Sequence, residues 1–90
     1  MSWPANRDAD PPRRLYLVEA DAAPDALLRV LGPFAVAGAQ VTAIELTEQD
    51  ARHALRIEAK GLTARGAEHL GAKLRALPIV RSVGLGWRSS

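Results

Sequence analysis

The sequence predicts an α+β sandwich in which a four-stranded antiparallel sheet carries two helices on one face. Three observations predict it. Hydrophobic periodicity switches along residues 14–88 from strand-like to helical, twice strand-like, helical again, and finally strand-like. The two middle strand-like runs, 41–48 and 53–60, are joined by a connection too short for anything but a hairpin. The second of those runs is apolar only at alternate positions, which leaves one face of the sheet to water or a partner. The order β-α-β-β-α-β closes naturally as the split βαβ, or ferredoxin-like, sandwich.

Each element has its own warrant. RRLYLVEA (13–20) is apolar on both faces, Leu15 and Leu17 on one and Tyr16 and Val18 on the other, which suits a central strand. Residues 24–38 set Leu27, Val30, Leu31 and Phe34 at the i, i+3, i+4, i+7 spacing of an amphipathic helix. Gly32-Pro33 falls inside that pattern, where proline costs about 3 kcal/mol. Phe34 keeps the apolar register beyond it, so a bent helix is expected. VTAIELTE (41–48) alternates with Ile44 and Leu46 apolar, and HALRIEAK (53–60) sets Leu55, Ile57 and Ala59 inward against Arg56, Glu58 and Lys60. Thr63 can cap a second helix with a stripe of Ala67, Leu70, Leu74 and Leu77, and Pro78 stops it. In VRSVGLGW (80–87), Val83, Leu85 and Trp87 alternate with Ser82, Gly84 and Gly86. The domain is therefore placed at 14–88. Residues 1–13 hold three of the six prolines and no periodicity, and are expected to form a disordered leader in which Trp3 could anchor a partner.

Ninety residues bury a thin core, so a second chain would add stability. The leader has no apolar stretch like that of a secretory signal, and no run is long and apolar enough for a membrane helix. The absence of cysteine removes disulfides and thiol chemistry, and fits a cytoplasmic protein. Ten of the twelve cations are arginines, but ten acidic residues nearly balance them, and the formal net charge is only +2. The charges are interspersed, not gathered on one face as in nucleic-acid binders.

Residues 14–87 resemble an ACT domain, the small module that binds amino acids and regulates enzymes of amino-acid metabolism. The likeness rests on a strand, a turn containing Pro24, and LLRVLGPFAVAGAQVTAIEL (27–46), with Gly38, the polar-aliphatic pair Gln40-Val41 and an alternating Ile-x-Leu. A charged strand and a leucine-striped helix follow, as in the family's second half. Within the family the chain is similar to the short regulatory subunit of acetohydroxyacid (acetolactate) synthase. The resemblance implies a homodimer joined edge to edge through 41–48, with the catalytic subunit of that synthase or another amino-acid-pathway enzyme as partner. It also implies an amino-acid effector at the 21–27 turn, touching Asp21, Ala22, Pro24, Asp25, Ala26 and Leu27, with Gln40 and Val41.

In such domains the first turn usually reads Asn-x-Pro-Gly, and amides at the helix start hold the ligand's carboxylate. Here Ala22 and Asp25 stand where Asn and Gly would be. A carboxylate at Asp25 gains about 0.3–1 kcal/mol from the helix dipole and adds like charge against an incoming carboxylate. Asp25 and Pro24 thus read as helix-start residues, and assembly is the stronger expectation than sensing. Binding at a shifted position, with Glu19 or Asp21 receiving an ammonium group, stays open.

No catalytic constellation appears, so the chain is not expected to be an enzyme. His53 and His69 lack carboxylate neighbours at metal-ligand spacing and are expected at the surface or an edge, with no metal and no cofactor. Glu48 and Asp50 read as a solvated turn. Two alternatives remain: a nucleic-acid-binding sheet, which lacks the aromatics that stack bases, and a purely structural subunit without ligand.

Overall fold

A computed structural model describes residues 13–88 of the chain. It contains β1 (Arg13–Asp21), α1 (Ala26–Val36), β2 (Gln40–Gln49), β3 (Arg52–Lys60), α2 (Ala64–Arg75) and β4 (Val80–Arg88). All pairings are antiparallel and the sheet order is β2-β3-β1-β4, so the expected sandwich is the one found. The leader expected at 1–13, with Trp3, lies outside the described residues except for Arg13, which opens β1.

The core lies between the sheet and its helices. Tyr16, Val18 and Ala20 of β1 and Leu55, Ile57 and Ala59 of β3 face inward, meeting Val30 and Phe34 of α1 and Ala67, Leu70 and Leu74 of α2. Each large aliphatic among them contributes about 1.5–3 kcal/mol by leaving water. Tyr16 joins the sheet to both helices. Its ring meets Phe34 edge-on at 5.0 Å and 81°, and its hydroxyl donates to the Ala67 carbonyl at 2.8 Å. Burial pushes the Tyr16 hydroxyl pKa up, with nearby Arg14 opposing the shift.

Helix α1 is shorter than the expected 24–38. It starts after Pro24, which lies in the preceding turn, and runs unbroken through Gly32-Pro33. Its C-terminus is a Schellman closure: the Gly38 amide donates to Ala35 and the Ala39 amide to Phe34, with Gly38 at φ +76. That left-handed conformation is why glycine follows this helix. At α2, Thr63 Oγ1 accepts from the Gly66 amide at 3.0 Å, the expected cap. The hairpin between β2 and β3 is only two residues long, with Asp50 at φ 53, a region that Asp tolerates better than most residues.

Strands β2 and β4 are the edges of the sheet. Ile44 and Leu46 pair with the buried Ile57 and Leu55, so they lie on the helix-bearing face, yet they remain 42% and 40% exposed because α1 does not reach over them. A bulge at Thr42 interrupts the β2–β3 ladder between Val41 and Ala43.

Candidate functional site

The first βα turn is pinned from both sides. The Asp21 amide donates to the Ile79 carbonyl at 2.8 Å, and the Ala22 amide to Ala51 at the hairpin tip at 2.9 Å. Register then sets Glu48 of β2 opposite His53 of β3, and both point to the helix-bearing face at this end of the sheet. Together with Ala22, Ala23 and Pro24 they line a cleft of about 270 Å³. Glu48 Oε2 lies 3.9 Å from His53 Nε2, and His53 Nδ1 is buried without a hydrogen-bond partner.

Sequence reasoning missed His53 and Glu48. His53 was expected at the surface or an edge, but it lies on the interior strand β3 with its ring largely buried beneath the turn. Parity held the signal: His53 falls on the inward set with Leu55, Ile57 and Ala59, and Glu48 on that of Ile44 and Leu46. His69 is exposed on α2. Among the described residues no group of three acidic or histidine side chains is placed to hold a metal ion.

Asp25 occupies the N-cap of α1, but its carboxylate does not cap the helix. It turns to Arg29 one turn on and accepts from its Nε at 2.7 Å. Its charge is therefore shared with a guanidinium, and among the described residues no side chain caps the second and third amides of the helix, those of Leu27 and Leu28. Ala26 is fully buried, so only its backbone can face the turn, and Leu27 packs partly into the core.

Both carboxylates considered for an ammonium group are engaged. Asp21 accepts from Arg81 Nε at 2.8 Å and Nη2 at 2.9 Å, and Glu19 lies 3.5 Å from Arg52. The hydrogen bond from Arg81, and then its charge and that of Arg52, hold the Asp21 carboxyl below the usual aspartate range, outweighing desolvation. This stabilisation is complete above the ordinary aspartate pKa and disappears as pH falls through the lowered one. An NMR titration should find the Asp21 midpoint below the usual range in the wild type and near it in Arg81→Ala. The stability gap between the two proteins should close as pH falls through the wild-type Asp21 midpoint, and a gap unchanged below that midpoint would refute this assignment.

Gln40 and Val41 are not brought to the turn. They pair with Lys60 and Ala59, whereas Asp21 pairs with Arg52 at the other end of the sheet. Eight residues, about 26 Å of extended strand, separate Gln40 from Glu48.

The open face also carries a broad trough of about 470 Å³, lined by Leu17, Ala54, Arg56 and Gly84 among others. It is larger than the first-turn cleft but lacks bare helix amides. Tyr16, the aromatic of the central strand, points into the core, away from this face.

Such a fold, with one open sheet face and a cleft at its first βα turn, defines the class of small ferredoxin-like modules. The chain belongs to the family of ACT-like domains, whose model matches residues 8–89. Among solved structures it is similar to the ACT domain of the GTP pyrophosphokinase of Chlorobium tepidum, with a TM-score of 0.72 at 14% identity, covering 86% of this chain and 99% of that one. It is also similar to the C-terminal domain of the MgtC protein of Mycobacterium tuberculosis, with a TM-score of 0.72 at 16% identity, covering 89% of this chain and 90% of that one. At such identities the likeness is one of fold. No curated protein matches the chain in sequence. Among the described residues no helix is long and apolar enough to cross a membrane.

Proposed function

We propose that this ACT-like domain is a regulatory module of amino-acid metabolism that works by pairing β2 with β2 of a second copy. One observation carries the reading: β2 is an edge strand whose Ile44 and Leu46, on the helix-bearing face, are left about 40% exposed. An open edge with half-wet apolar side chains favours pairing, and antiparallel addition of a second β2 continues the sheet to eight strands. A two-fold axis would also carry the partner copy's Gln40 and Val41 towards the first turn. That is how residues at opposite ends of one sheet would share a site.

The second part of the proposal is an amino-acid effector at the 21–27 turn. The bare amides of Leu27 and Leu28 and the pairing of Asp25 with Arg29 support it, because the carboxylate no longer occupies the helix start. The metabolic enzyme proposed first as partner is the catalytic subunit of acetohydroxyacid synthase, on the residue pattern from Leu27 to Leu46.

Light scattering tests the first part: the purified chain should have the mass of a dimer at tens of micromolar, and a monomer there would overturn it. A thermal-shift screen with millimolar amino acids tests the second. A rise in melting temperature with one or a few amino acids supports the effector. No rise with any, in wild type and in Asp25→Gly, removes it and leaves assembly alone.

A further inference from the structure

We infer that the two copies pair with Glu45 on the two-fold axis, so that a like-charged pair of carboxylates restrains an otherwise apolar interface. The inference rests on the dimer proposed above and specifies its register. A two-fold that keeps both helix layers on the same side of the sheet must pass through a residue of β2, not between residues, because antiparallel partners share a face. The bulge at Thr42 bounds the regular outer edge at Ala43, and the hairpin bounds it at Gln49. Five centres, 44 to 48, lie within this stretch; position 48 leaves regular pairs only over 47–49, and centring on Thr47 sets Leu46 of each copy against Glu48 of the other, a carboxylate beside apolar surface.

Centring on Ile44 leaves regular pairs only over 43–45. Centring on Leu46 sets Ile44 of each copy against Glu48 of the other, placing a carboxylate beside apolar surface as water is excluded. Centring on Glu45 sets Ile44 of each copy against Leu46 of the other, twice, and Ala43 against Thr47. The helix-side pairs are then entirely apolar, and the cost moves to the open face, where Glu45 meets its counterpart. That face is wet, and like charges opposed on a sheet cost less there than a desolvated carboxylate does. The groups facing Glu45 are mixed in sign. Arg56 is its cross-strand neighbour on β3, Glu58 lies beyond, and Glu19 of β1 across the trough is already near Arg52. Arg56 from each copy softens the repulsion, and the residual repulsion keeps the dimer reversible. The same register lays the partner copy's Val41 and Thr42 beside Gln49 and Glu48, at the rim of the first-turn cleft.

The chain has no cysteine, so single cysteines report the register cleanly. Glu45→Cys should cross-link to itself through a short bis-maleimide. Ile44→Cys and Leu46→Cys should link to each other when mixed, and far less each to itself. Independently, Glu45→Gln should tighten dimerisation about two- to fivefold, the size of one opposed like-charge pair on a sheet. Self-linking at Leu46→Cys but not at Glu45→Cys would overturn the register, as would unchanged or weaker dimerisation of Glu45→Gln. A dimer that links at none of the three positions would mean that β2 is not the interface. A wild type and Glu45→Gln that are both monomeric at tens of micromolar would fail the proposed function itself, which separates the two failures.

Discussion

Replacing Tyr16 with alanine should remove about 3–5 kcal/mol from the folding stability, the range for deleting a buried aromatic. A domain of this kind has about 5–15 kcal/mol in all, so the variant should be near its limit at room temperature. The reason is position. β1 is central in the sheet, and Tyr16 is its side chain that touches α1 through the Phe34 ring and α2 through the Ala67 carbonyl. Deleting it opens a void where three elements meet, and neither helix can close on the sheet without moving the other. Tyr16→Phe separates the two contributions: it keeps the ring contact, loses only the hydroxyl's bond, and should cost about 1 kcal/mol. Equilibrium urea unfolding at one fixed protein concentration reads both, the fixed concentration being needed because association adds to apparent stability. An alanine variant within 2 kcal/mol of the wild type would show that the core repacks around the gap.

How far the sequence reveals this molecule depends on how local the cause is. The alternation in 53–60 and the stripe of Ala67, Leu70 and Leu74 on α2 are local patterns found where they were expected, although α2 ends at Arg75 and leaves Leu77 beyond it. The ends of α1 were less visible. Pro24 can begin a helix, but here it sits in the turn, while the amides of Asp21 and Ala22 are held by Ile79 and Ala51, residues distant in the chain. Across Pro33 the expectation of a helix that keeps its register agrees with the structure: α1 runs through it, with Val30 and Phe34 buried on either side. At the candidate site, identity was legible and direction was not. Asp25 stood out as a charge at a helix start, yet whether its carboxylate turned back over the amides or forward to Arg29 depended on a partner four residues away. His53 was misjudged for a simpler reason: histidine is usually read by its chemistry, and here the parity of its strand decided where it lies.

Converting Ile44 and Leu46 together to lysine should weaken dimerisation at least a hundredfold while leaving each copy folded. In the single chain both side chains already stand partly in water, so the substitutions cost each copy little; surface changes usually stay within about 0.5 kcal/mol. At a shared β2 edge the same substitutions oppose four ammonium groups where apolar contacts had been, and like charges brought together at an interface cost several kcal/mol. Lysine on an edge strand is also a common natural guard against such pairing. Sedimentation equilibrium gives the dissociation constant, and a thermal melt shows that the fold survives. Leu17→Lys is the control that decides between geometries. Leu17 lies on the open face of the central strand, 52% exposed, and takes no part in edge pairing, so its variant should dimerise like the wild type. If instead two copies stacked through their open faces over the trough beside Gly84, Leu17→Lys would break the dimer and the β2 variant would spare it. The two substitutions therefore give opposite answers for pairing at β2 and for stacking of the open faces. Only loss at β2 with retention at Leu17 is compatible with pairing through the β2 edge; a dimer that survives both changes would place the contact elsewhere, as at β4, the sheet's other edge.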